Sequence, residues 1–403
     1  MIRRLCLLLA ATVALAIVPL VGAGGADASS VAASSKPVVK IGVLAPLDAG
    51  LTEFGQGIRN SVQVAVDQAN QRNAIPGWKI EVSAVDDSSD PATGAAAAAT
   101  LISDPEVIGV VGPYNSGVAD AALPALAAAD LALVSPSNTL TSLTLGPDIA
   151  NPVRPYDTYF RMVASDALQG PFLAESIYAK GVRNVAVVSE TKAVSKGLAD
   201  AFAAAFTDQG GTVTIQQVVP DAATDFTDFL AAAIPGKPGA IFFGGEYTVA
   251  AGLRDQATTA GFSGPLVGGD GIKDDAYISD AGAASKGTLA STVGTPLASL
   301  KTAKRFLAAY KKADFDTGPT DYGPYAFDAA NLIIGAAARV LDGQTSIPAD
   351  ARTTVASKVQ AAKGKGASGP LGFDQFGDTT HSVFTLYRVS GPKGNLAWLP
   401  ITK

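Results

Sequence analysis

The chain is nearly devoid of the side chains that do most metal and acid–base chemistry: its 403 residues hold one cysteine, Cys6, and one histidine, His381. Cys6 falls in an N-terminal stretch that reads as a secretion signal, so its removal leaves no disulfide, no thiol nucleophile and no cysteine metal site. His381 stands in a Thr-Thr-His-Ser stretch near the end and reads as a surface residue. Metal-dependent hydrolases and most acid–base enzymes thereby lose their usual parts, and no metal or other cofactor is expected. Gly-x-Ser-x-Gly and the phosphate-binding Gly-x-x-x-x-Gly-Lys are missing as well.

Positive charge is also scarce. The first 28 residues carry Arg3, Arg4 and Asp27; subtracting these two basic and one acidic residues from totals of 30 and 36 leaves 28 against 35, a net −7. No basic cluster stands out, so nucleic acid is not an expected partner. Long apolar runs are lacking except at the start, where Arg3 and Arg4 precede the run Leu5 to Val21, which is interrupted by Pro19. Ala26-Asp27-Ala28 then offers the small residues that a signal peptidase reads, placing the expected mature start at Ser29. A permanent membrane helix is the weaker alternative for so short a run. Residues 29–36 form a small-residue tether, and the protein is expected outside the cytoplasm, with no lipid-anchor cysteine.

What is present is a repeated grammar. The length suggests about two domains. Val38 to Leu44 reads as a buried strand, and Phe54, Ile58, Val62, Ala65, Val66 and Ala69 keep helical spacing after it. Ile80 to Val85 is a second strand, and Asp90 caps a helix with Pro91 at its first position, reaching about Ser103. The Val107 run, a helix from Val118 to Ala129 and the Leu131 run complete a parallel sheet wrapped by helices. After the Pro-rich crossing from Asn151 to Tyr156, with Arg161 and Met162 as the exit, the pattern repeats. Helices are expected over 166–179, 196–209, 226–233 and 248–260, with strands over 185–188, 213–219, 240–243 and around Pro265. Beyond Gly287 the pattern changes to helices without strands of their own, over 301–312, 325–341 and 353–362, which return to the first sheet. Extended or hairpin structure from Gly369 through Val389 finishes the second lobe.

The fold class is therefore α/β, with two Rossmann-like lobes of parallel sheet flanked by helices, joined by a three-crossing hinge. The first lobe takes residues 37–162 and 294–380; the second takes 163–293 and 381–403. The stretch around which this is arranged is Val107-Ile-Gly-Val-Val-Gly-Pro-Tyr-Asn-Ser-Gly. A strand passing through a tight turn into a helix leaves backbone N–H groups near Asn115, Ser116 and Gly117 free at the strand's carboxyl end, a place suited to a carboxylate or phosphate. The simpler reading is that Ser116 only caps its own helix. The next turn, Ser135-Pro-Ser-Asn-Thr139, would stand beside it at the same sheet edge.

These residues resemble the type I solute-binding proteins of ABC importers, in the leucine/isoleucine/valine-binding branch. The likeness rests on Lys40-Ile-Gly-Val-Leu-Ala-Pro-Leu, Val111-Gly-Pro-Tyr-Asn-Ser-Gly, Ser135-Pro-Ser-Asn-Thr, Tyr159-Phe-Arg-Met, Gly244-Gly, Gly268-Gly-Asp-Gly and Gly369-Pro-Leu-Gly-Phe-Asp, which occur in family order over nearly the whole mature chain. The resemblance implies that Ser116 and the main-chain amide of Thr139 hold a ligand carboxylate. The carbonyl of Ser137, the hydroxyl of Thr139 and the acid Asp270 would hold its ammonium group, with Tyr114, Asn115 and Asn138 in the same set. Pairing both ends is what a desolvated zwitterion requires. Asp270 could instead be a turn residue capping a helix from Lys273.

Departures from the family are equally specific. An aromatic that commonly covers the ligand falls on Val194, a frequent tyrosine falls on Glu246, and Phe54 takes the place of an aromatic lining the side-chain pocket. Glu246 is either a solvated rim residue or, beside Asp270, a second carboxylate favouring a ligand with more positive charge or an amide or hydroxyl donor. Ser89 and Asn115 stand near the family's frequent disulfide. The expected function is capture of a small polar or zwitterionic solute, an amino acid above all, by a monomeric protein that closes on it and presents it to a membrane permease. The alternatives are a sensory subunit for a membrane receptor, and a secreted hydrolase using Glu246 and Asp270 as a carboxylate pair.

Overall fold

The computed structural model describes residues 36–401 apart from Lys393; the signal segment and nearly all of the tether lie outside them. Two sheets organise the described residues. The first has the order β2-β1-β3-β4-β5, with β1 Val38–Ala45, β2 Lys79–Asp86, β3 Val107–Val111, β4 Leu133–Ser135 and β5 Tyr159–Arg161, all parallel. The second has the order β14-β13-β10-β9-β8-β6-β7. Its strands are β6 Asn184–Glu190, β7 Thr212–Val219, β8 Ala240–Gly244, β9 Leu266–Gly268, β10 Leu289–Val293, β13 Phe384–Ser390 and β14 Ala397–Pro400. A short antiparallel ribbon, β11 Lys363–Lys365 with β12 Pro370–Gly372, stands apart from both.

Unalternating apolar runs become strands covered on both faces, as parallel sheets demand. In the first sheet, Val39, Ile41 and Val43 pack with Ile58 and Val62 of helix Thr52–Gln71 and with Ile333 of helix Gly323–Val340. Leu44, Val107 and Val110 pack on the opposite side with Leu101 of helix Pro91–Ser103 and Val118 of helix Ser116–Ala128. The second sheet repeats this, with Ala186, Val188 and Phe243 facing Leu253 of helix Tyr247–Thr259, and Val187 and Phe242 facing Phe202 of helix Ala193–Asp208. Asp90 caps as expected, its carboxylate accepting from the amide of Thr93 at 2.7 Å.

Two expectations need correction. Tyr159-Phe-Arg is not simply an exit but the fifth strand of the first sheet, pairing with Leu133 to Ser135. The segment after Gly287 is not purely helical, since Leu289–Val293 forms β10 between β9 and the returning β13. Its Ser291 and Thr292 disguise a strand whose five residues are all buried.

The sheet orders matter for function. The strand succession reverses between β1 and β3 in the first sheet and between β6 and β8 in the second. Open α/β sheets leave a crevice outside the carboxyl ends of strands at such places.

Candidate ligand-binding cleft

Loops from the carboxyl ends of β3, β4, β6, β8 and β9 enclose one cavity of about 60 Å3, lined by Tyr114, Asn115, Ser116, Ser137, Thr139, Val194, Ser195, Leu198, Gly245, Glu246, Asp270 and Gly271. The first sheet's edge meets the cavity with neutral groups. Gly112 has φ +117, and a Cβ there would lie 1.9 Å from the carbonyl oxygen of Leu44, so only glycine lets this loop leave β3. The Ser116 hydroxyl accepts from the amides of Thr139 at 3.2 Å and Leu140 at 3.3 Å, joining the two loops rather than capping its own helix. Its O–H proton remains for another acceptor. Behind the loops, the Asn138 amide donates to the carbonyls of Pro113 and Tyr114 and its oxygen accepts from Tyr159. Arg161, fully buried, donates to the Leu140 carbonyl at 2.8 Å, to Thr144 and to the Asp378 carboxylate.

The second sheet's edge carries charge. Asp270 sits in the turn after β9, where its carboxylate accepts from the Tyr322 hydroxyl at 2.5 Å and the Gln169 amide at 2.9 Å. Burial pushes its carboxyl up against the lowering effect of those two bonds. Tyr322, desolvated and beside that charge, is held well above the usual phenol range and stays a donor. Asp166, the first residue of helix Asp166–Ala179, is buried with no hydrogen bond to either carboxyl oxygen, and burial followed by the nearby Asp270 charge pushes it up to about 8.

A second charged group lies beyond. Glu246 accepts from the Asn115 amide at 2.8 Å and from Lys192 at 2.7 Å, while its own N–H donates to Glu190 at 3.0 Å. Gly245 permits this, since a Cβ there would come within 2.4 Å of the Glu190 carboxylate. Burial works against the Lys192 charge, yet Glu246 and Glu190 outweigh it and hold the amine above its usual range. Direct bonds between the two sheets' halves include Asn115–Glu246, Tyr322–Asp270 and Lys273–Asp321 at 2.7 Å.

A family profile described as periplasmic binding protein matches residues 38–394. The chain belongs to the periplasmic binding proteins. A Leu/Ile/Val-binding protein of Rhizobium johnstonii is 27% identical over 356 residues, covering 87% of this chain and 91% of that one. The leucine-, isoleucine-, valine-, threonine- and alanine-binding protein of Pseudomonas aeruginosa is 25% identical, covering 87% and 89%. Among solved structures, the branched-chain amino acid transporter substrate-binding protein LivJ of Streptococcus pneumoniae, in complex with isoleucine, superposes with a TM-score of 0.76 at 26% identity, covering 90% of this chain and 99% of that one. The fold is the two-lobe type I architecture, and the family is one of solute binders rather than enzymes.

For a periplasmic binding protein of this branch, eight of the ten expected site residues share the cavity: Tyr114, Asn115, Ser116, Ser137, Thr139, Val194, Glu246 and Asp270. Two do not line it. Asn138 spends its amide on the loops behind, and Phe54 lies behind Tyr114, stacked on it at 4.4 Å between centroids and 5° between planes. The cap reading of Asp270 gives way as well, because Asp274 caps the following helix Asp275–Ala281 through the Ala276 amide. Glu246 faces the cavity rather than solvent. Tyr322, Gln169, Lys192 and Ser195 escaped the sequence reading. Tyr322 is 52 positions and Gln169 101 positions from the Asp270 they hold, and neither distance leaves a local signal.

Proposed function

We propose that this solute-binding protein captures a small zwitterion, an α-amino acid, between its lobes and presents the occupied form to an ABC permease. The observation that carries the reading is that Ser116 and Thr139 from one sheet and Asp270 from the other line one cavity. The Ser116 O–H, whose oxygen accepts from the Thr139 and Leu140 amides, stands at one end for a carboxylate, and a carboxylate with acceptor capacity beyond Tyr322 and Gln169 stands at the other for an ammonium group. The relatives support this, since their names state binding of leucine, isoleucine, valine, threonine or alanine. Glu246 gives both carboxylate oxygens to Asn115 and Lys192, which leaves it poorly suited to move a proton as one of a hydrolytic pair.

The family places such proteins outside the cytoplasm, and the N-terminal 28 residues supply the export signal in this reading. N-terminal sequencing of secreted protein should begin at Ser29. Isothermal titration of the full chain, freed of bound solute by dialysis from denaturant, should give saturable heats with at least one α-amino acid, without turnover. Silence across all twenty, or formation of product, would sink the proposal.

A further inference from the structure

The cavity carries polar groups that the zwitterion reading leaves unused. The Asn115 amide nitrogen is committed to the Glu246 carboxylate, which can only accept, so its oxygen is turned the other way; that oxygen is buried without a partner. On the wall of the same cavity, Ser195 is 3% exposed and its hydroxyl is equally without a partner. Ser195 belongs to the first turn of the sixteen-residue helix Ala193–Asp208, whose end has no side-chain cap. One wall of this corner thus needs a donor, while the other offers donors to an acceptor.

Neither ionic extreme satisfies the corner. A second carboxylate would meet Glu246 and Glu190, which already share the single lysine Lys192. An ammonium or guanidinium could donate to the Asn115 oxygen but has no acceptor to offer the Ser195 hydroxyl or the first-turn N–H groups. An aliphatic side chain would leave the Asn115 oxygen and the Ser195 hydroxyl buried and unpaired, each at a cost comparable to a lost hydrogen bond. Nor is the first sheet's side open to it, because Phe54, Tyr114 and Tyr322 pack against one another there at centroid distances of 4.4, 5.4 and 5.6 Å.

We propose that the bound amino acid carries a side-chain carboxamide, its NH2 donating to the Asn115 oxygen and its carbonyl accepting from Ser195 and the first turn of helix Ala193–Asp208. The inference rests on the zwitterion reading above and names its side-chain class. A carboxamide is neutral and presents donors beside an acceptor, which matches this corner in sign. Val194 and Leu198, which line the same cavity, face the methylene stem.

The test is titration of the stripped full chain with glutamine, asparagine, glutamate, aspartate, lysine, leucine and alanine. Glutamine or asparagine is expected to bind at least ~10-fold more tightly than leucine and than its own acid of equal length, because a site built to hydrogen-bond a group rejects analogues lacking it. Leucine, lysine or either acid binding as tightly as the amides overturns the proposal while leaving the zwitterion reading intact; silence with every amino acid overturns both. Asn115→Leu and Ser195→Ala are each expected to lower the ratio of amide to alanine affinity by about 5-fold or more. A ratio unchanged in both variants, with measurable alanine binding as proof of folding, overturns it independently.

Discussion

The two edges of the cleft differ in kind. Toward the cavity the first sheet contributes hydroxyls and amides whose hydrogen bonds are mostly internal, Ser116 to Thr139 and Asn138 to Pro113 and Tyr114, with the Arg161–Asp378 ion pair behind them. The second contributes nearly all the charge, in Asp270, Glu246, Glu190 and Lys192, with Asp166 buried close by and unpaired. One edge is a preformed cradle; the other is electrically unfinished until something arrives. A ligand that completes both edges binds only when they are together, so binding shifts the equilibrium toward the closed arrangement by its differential contacts.

Breaking the charged edge should therefore cost more than breaking the neutral one. Asp270→Ala is expected to abolish amino-acid binding, a loss of ~3 kcal/mol or more measured by titration, because the ammonium is left unpaired away from water. Affinity equal to the parent would mean that the ligand bears no such group.

The next effect concerns stability. With Asp166 pushed up to about 8, the folded chain keeps a proton that the unfolded chain gives up near the ordinary carboxylate value. Its contribution is thus fully present below about pH 4 and is lost as pH rises toward 8. Melting curves from pH 5 to 9 should show Asp166→Asn gaining on the parent as pH rises, by on the order of 2 kcal/mol at the alkaline end. Parallel curves would remove Asp166 from the account.

Ser116→Ala should weaken binding by a smaller step, about 1–2 kcal/mol, since one neutral donor is lost while the Thr139 amide remains. Lys192→Met strips the fully buried Glu190, and Glu246 beside it, of their shared cation and is expected to lower stability by about 1–2 kcal/mol, read as a shift of the melting curve. If these two outranked Asp270→Ala, the contrast between the edges would be wrong.

What could be read from sequence follows the same division. Strands such as Val107–Val111, all five residues apolar and buried, announce themselves through pattern, and so does the Asp90–Pro91 helix start. Leu289–Val293 does not, because Ala290, Ser291 and Thr292 blunt its hydrophobicity although every residue is buried. Tyr159–Arg161 hides for another reason, as its arginine is buried only because Asp378 arrives from 217 positions away. At the site, motif order located Ser116, Thr139 and Asp270, which sit in short turns between recognisable elements. Pairings made across the cleft, Asn115 with Glu246 and Tyr322 with Asp270, depend on how the halves meet, and no local pattern encodes that.

The Arg161 contact also bears on how the molecule is made. The guanidinium ties the Leu140 to Thr144 turn, next door to Thr139, to an acid that leaves the ribosome more than two hundred residues later. Until that late segment docks, the arginine lacks this counter-ion and the turn beside Thr139 lacks this tie. A chain interrupted before Asp378 would hold all five strands of its first sheet and still lack this tie, so the turn depends on a segment made long after the sheet itself.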